Sequence, residues 1–238
     1  MNAQVTGPKV YCYLFGRTDM PITETMRNAW IVMGFILLLC LFLTHGLKKI
    51  PKGKQALAEK LVLMLDNLVD STMGPGSRAY TPYIAALLMS SFFGSLASLI
   101  GLRSTTADLN TTLGWALITF AMITYTKIRY GGFGGYLKSF LEPIFIMAPL
   151  NVLSEVATPV SMSFRHFGNM AGGLVITTLL LGALQVLSNA VLGFLPVPLL
   201  QIGIPGILSL YFDLFTAAMQ AFIFSMLTMS YVGAAREG

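Results

Sequence analysis

The chain has 238 residues, of which 55% are hydrophobic and 11% charged, with a net charge of +5. A soluble domain of this length carries about 25% charged residues, so the composition excludes an ordinary soluble enzyme or binding module. With only two cysteines and two histidines, widely separated, neither a disulfide framework nor a metal-ligand spacing is available.

Residues 1–27 are mixed and polar. The stretch NAWIVMGFILLLCLFLTHGL, 28–47, is long enough to cross a hydrocarbon core of ~30 Å. It is not a secretory signal: its polar flank is long, no small-residue cleavage site follows, and the basic cluster comes after it. Lys48, Lys49, Lys52, Lys54, Lys60 and Arg78 all fall in the hydrophilic loop 48–80. Basic residues gathered in one loop mark it as cytoplasmic rather than as a nucleic-acid patch, and they put the N-terminus outside. Within this loop Leu57, Leu61, Met64, Leu65 and Leu68 recur at helical spacing. That pattern fits an amphipathic helix lying on the membrane surface, or a loop helix packed on the spans.

Residues 82–102 form a second span, whose Ser90, Ser91, Gly94, Ser95 and Ser98 permit close helix approach. A polar link, 103–110, leads outside to a third span, 111–127, which ends at Lys127 and Arg129 on the inner side. RYGGFGGYLKS, 129–139, reads as a cytoplasmic turn; its lysine and hydroxyl spacing is wrong for a phosphate loop. From 140 to 190 the chain stays apolar. A single helix of that length would measure ~75 Å, more than twice the membrane thickness, so it must break or incline, with Pro143, Pro149 and Pro159 as kink points. Within 140–190 a short entry segment followed by a long inclined helix from about 150, carrying Arg165, is expected. Residues 193–206, with three prolines, read as a turn, and 206–235 as a return helix ending at Arg236 inside. The fold class is an all-α membrane protein. A single domain, 1–238, holds about five membrane-embedded helices, the last two long, tilted and antiparallel, plus the surface helix.

One arginine interrupts the long apolar stretch. From Arg165, Ser161, Thr158, Ser154 and Asn151 lie 4, 7, 11 and 14 residues back, and Asn169 and Gly172 lie 4 and 7 forward. These offsets share one helical face, so the polar groups form a narrow stripe. Arginine does not escape by losing its proton, and a charge at mid-membrane costs ~2.5–3.5 kcal/mol on insertion scales. A structural ion pair with Glu155 or another carboxylate is one explanation. A fixed cation facing an ion pathway is the other. On the return helix, Asp213, Thr216 and Gln220 also share a face, and an intramembrane aspartate is a functional candidate.

These residues carry a family resemblance. PVSMSFRHFGNMAGG (159–173) resembles the arginine-centred helix of subunit a of F-type ATP synthases. MQAFIFSMLTMSYVGAA (219–235) resembles that family's last helix, and TADLNTTLGWAL (106–117) the start of the helix before the long pair. The resemblance implies an ion-translocating stator subunit in a bacterial plasma membrane, itself without catalytic activity or cofactor. Its implied partners are a rotor ring of c subunits and peripheral-stalk b subunits. By position it makes Arg165 the stator arginine, Asn169 and Gln220 its polar partners, Ser154 a small polar residue on the ion path, and Arg103, Asp108 and Asn110 an outer polar cluster. Leu174, Asn151 and Asp213 depart from residues common in the family, so Glu155 and Asp213 are candidates for the ion-handling groups. Ser161 is suited, with Asn169 and Gln220, to moderating the arginine. His166, where leucine is common, is expected to be a neutral, packed or lipid-facing imidazole. The rival readings are a stand-alone secondary transporter and a membrane-embedded enzyme. The first lacks an internal repeat. The second lacks a nucleophile–base pair or metal set.

Overall fold

The computed structural model describes residues 9–13, 21–141, 145–191 and 199–237, with side chains left out at 189, 191, 199–212 and 237. An antiparallel hairpin, β1 (Val10–Tyr13) with β2 (Pro21–Thr23), opens the chain. The polar segment 1–27 gives no strand signal in the sequence alone. Helix α1 (Glu24–Thr44) follows without a break, because the Thr23 side chain caps it by accepting from the Met26 amide and Glu24 complements the helix dipole. It therefore begins four residues before the expected 28 and stops before Gly46, whose φ of 78° lies outside the helical range.

Helix α2 (Lys54–Met73) runs between Gly53 and Gly74, both at positive φ. The two readings of this helix divide along its length. Its first half leaves Leu57, Leu61, Val62, Leu63 and Met64 exposed, while Val69 and Met73 are buried against Met229, Val232 and Ala235. A 3-10 turn leads into α3 (Thr81–Leu96), which carries Pro82 in its first turn, where the missing amide costs nothing.

Helix α4 (Leu109–Leu141) is capped by Asp108, whose Oδ1 accepts from the Asn110 amide at 3.0 Å. It continues through the segment expected as a turn, with one kink at Gly132 (φ 71°, ψ 165°). The correction has a simple cause: one glycine bends the chain, and Gly134 and Gly135 then stay helical. Helix α5 (Ala148–Val191) starts close to 150, and 140 and 141 still belong to α4. Pro159 lies inside α5 without ending it. Helix α6 (Leu199–Glu237) begins earlier than 206. Its first residues are apolar, and backbone at membrane depth satisfies its hydrogen bonds best as helix. The rest of the expected turn lies outside the described residues.

Helices α3, α4, α5 and α6 pack on one another, with α1 against α3. Among the described residues, four segments are long and apolar enough to cross a membrane: Glu24–Thr44, Arg78–Ile100, Phe145–Ser188 and Asp213–Arg236. The expected third span, in α4, does not reach that apolarity. Its polar residues are nevertheless enclosed: Thr112, Thr119 and Thr126 are fully buried, bonding Ser163 (3.1 Å), Tyr83 (3.0 Å) and Tyr80 (3.3 Å). Interhelical hydroxyl pairs of this kind replace the hydrophobic drive that lipid cannot supply.

The last two helices are antiparallel: His166 stacks near Phe224 (5.5 Å), and Glu155 shares a cleft with Tyr231 and Ala235. Helix α5 also slants across α4. Between the Thr112–Ser163 and Lys127–Glu155 contacts, α4 advances 127 − 112 = 15 residues, about 22 Å, and α5 only 163 − 155 = 8, about 12 Å. The slant and the reach of the lysine side chain make up the difference.

Candidate functional site

Arg165 projects from the exposed face of α5, and among the described residues no hydrogen bond or ion pair engages it. Ser154, Ser161 and Asn169 are exposed on the same stripe, with Asn151, Thr158 and Gly172 half-buried. Large apolar side chains border it: Phe164, Val160, Val156 and Leu153 are all exposed. The helix thus presents a polar seam with one cation on a broad apolar surface.

The opposite face holds α5 in this orientation. His166 is 1% exposed, its Nε2 3.2 Å from Ser91 Oγ, its ring edge-on to Trp115 and Phe224. Met162, Ser163 and Met170 are buried beside it. The expectation of a packed imidazole is met; the signal for its partner was the serine row of α3.

Gln220, 7% exposed, precedes Phe224 by one helical turn. Because Phe224 meets His166 and the helices are antiparallel, Gln220 lies about one turn further along α5, level with Asn169 and Met170. Asp213 is half-buried two turns beyond Gln220.

Glu155 does not pair with Arg165. Its Oε1 accepts from Lys127 Nζ at 3.0 Å and from the Tyr136 hydroxyl at 3.4 Å, so the structural ion-pair explanation for Arg165 does not hold with this carboxylate. Burial first, and then the Glu155 charge, raises the Tyr136 phenol above its ordinary range and keeps it a donor. A cleft of about 400 Å³ opens here, lined by Lys127, Ser139, Asn151, Ser154, Glu155 and Thr158 among others. The cleft holds the consecutive residues Ser154 and Glu155. Lys127 and Tyr136 were missed: one read as a topology marker, the other as part of a turn.

At the other end of α4, Arg103 and Asp108 are tied to α1, and Asn110 to Asp108 through its amide. The Thr25 hydroxyl donates to Asp108 Oδ2 at 2.6 Å, and Asn28 Nδ2 donates to the Arg103 carbonyl at 2.9 Å. Both α1 residues are buried, and neither carried a sequence signal beyond polarity at a helix start.

The fold and this seam define a class: an all-α integral membrane protein that presents, on the exposed face of a long helix, a cation without a partner among the described residues. The family model for the ATP synthase A chain matches residues 26–233. The chain is 35% identical over 233 residues to the sodium ion specific ATP synthase subunit a of Propionigenium modestum, covering 91% of this chain and 75% of that one. It is 30% identical to ATP synthase subunit a 2 of a Bradyrhizobium species (97% and 96% covered), and 31% identical to ATP synthase subunit a of Moorella thermoacetica (92% and 93%). The chain belongs to the ATP synthase subunit a family. It is a membrane subunit of the ATP synthase and not the catalyst of ATP formation.

Proposed function

We propose that this subunit carries ions past a rotating ring of carboxylate-bearing c subunits, with Arg165 facing the ring between two offset half-channels. The single observation that supports this most is the exposure of Arg165, without a partner among the described residues, on an apolar helix face. A charge in that setting calls for an opposite charge from another chain. A unit pair at ~4 Å and an effective dielectric of ~20 gains ~4 kcal/mol, about three pK units. That is enough to ionise a carboxylate whose burial has raised its pKa. Asn169, Ser161 and Gln220 offer hydrogen bonds that keep the pair from locking the ring.

The cleft at Ser154, Glu155 and Thr158 is the cytoplasmic access route in this reading. Asp213 handles ions on the outer route, and Arg103, Asp108 and Asn110 lie near its mouth. Basic residues at 48–60, Lys127 and Arg236 support a cytoplasmic C-terminus in a bacterial plasma membrane, with the N-terminus outside. Peripheral-stalk b subunits complete the stator. The test is Arg165→Ala in the assembled complex. Coupled ATP synthesis is lost while assembly persists; normal ion-driven synthesis overturns the reading.

A further inference from the structure

The cleft beside Ser154 carries a charge pair that ion passage alone does not require. Among its described lining residues, Lys127 and Glu155 are the charged ones. The groups facing Glu155 are Lys127 and Tyr136 from α4, Tyr231 from α6, and the uncharged Asn151, Ser154 and Thr158 on its own helix. The Glu155 side chain is 13% exposed and that of Lys127 33%, so solvent reaches the lysine side of the pair more readily. The kink at Gly132 brings Tyr136 back over the carboxylate, where it bonds the same oxygen that Lys127 holds. The Asn151 side chain donates to the Phe140 carbonyl at 2.9 Å, tying the segment beyond the kink to α5.

A lone carboxylate in a narrow cleft binds whatever cation passes. At contact range and intermediate dielectric, that attraction slows release by roughly a thousandfold. We propose that Lys127 is a built-in counter-cation: it occupies the place at Glu155 that a transported ion would otherwise take, so the mouth passes ions without storing them. Glu155 is then no carrier in the relay. With Lys127, it keeps the mouth wet and net neutral. This rests on reading the cleft as the cytoplasmic access route.

The test uses the assembled complex in inverted membrane vesicles, with ATP-driven ion pumping normalised to complex present. Lys127→Met and Glu155→Gln each leave one uncompensated charge, and each lowers pumping roughly tenfold. The double variant restores neutrality and pumps within about twofold of the parent. Lys127→Gln with Glu155→Gln serves as a second neutral pair that keeps hydrogen bonding. A conservative exchange separates charge compensation from mere propping of the helices. Lys127→Arg keeps the cation and pumps within about threefold of the parent, whereas Lys127→Met, of similar length, does not. Neutral pairs as impaired as Glu155→Gln alone would make the carboxylate a carrier and overturn the inference. A Lys127→Arg variant as impaired as Lys127→Met also overturns it. If every variant pumps like the parent, the cleft is not the access route, and the half-channel reading falls as well.

Discussion

Arg165 and His166 are consecutive in the chain, yet one faces outward and the other into the protein. The arginine is exposed on the outer face of α5, while the histidine is 1% exposed and bonded to Ser91. Helix geometry turns adjacent residues about 100° apart, so whatever anchors His166 also aims Arg165.

The anchoring is by volume more than by charge. His166→Leu keeps the contacts with Trp115 and Phe224 and removes a buried ring nitrogen, Nδ1, that lacks a partner among the described residues. It is expected to leave ATP synthesis within about twofold of the parent, because one lost hydrogen bond costs only ~1 kcal/mol. His166→Ala leaves a cavity and lowers the thermal stability of the complex, by ~2–4 kcal/mol on the scale of large-to-small core changes. A His166→Leu variant as inactive as Arg165→Ala would give the imidazole a part in ion transfer.

Gly94 is required where the link after α3 folds back. A Cβ there would meet Thr105 Oγ1, and the turn it would push away holds Ser104 Oγ 3.2 Å from the Gly94 carbonyl and Ser95 Oγ 2.9 Å from Thr106 Oγ1. Gly94→Ala is expected to destabilise the subunit by ~1–3 kcal/mol. Gly114→Ala, with nothing within 4 Å of the added carbon, is expected to be harmless. Equal melting temperatures for the two variants would contradict the tight approach.

Asp108 both caps α4 and accepts the Thr25 hydroxyl. An asparagine keeps an acceptor for the cap, whereas alanine loses it at a cost of ~1 kcal/mol or somewhat more. Thermal unfolding should therefore rank Asp108→Asn above Asp108→Ala. If the two variants unfold alike, the cap is not what this residue contributes.

Most of this architecture is legible from the hydropathy, and its limits have physical causes. The apolar runs of α1, α3, α5 and α6 stand out because lipid demands them. Helix α4 does not, because its threonines find partners on other helices, and sequence order does not reveal those pairings. The stripe through Ser154, Ser161, Arg165 and Asn169 follows from the 3.6-residue period alone. Its placement on an exposed face depends on which side of α5 meets α4 and α6. Lys127 and Glu155 are 28 residues apart and meet only because α5 slants back across α4. Tyr136 joins them because one of several glycines, Gly132, bends the helix. No local pattern separates that glycine from its neighbours.

The central claim is tested most directly by a map of the assembled complex that resolves the Arg165 guanidinium. The account predicts that it points at the carboxylates of the ring, with Asn169 alongside. A guanidinium directed into lipid, or paired with an acid of its own chain, would contradict it.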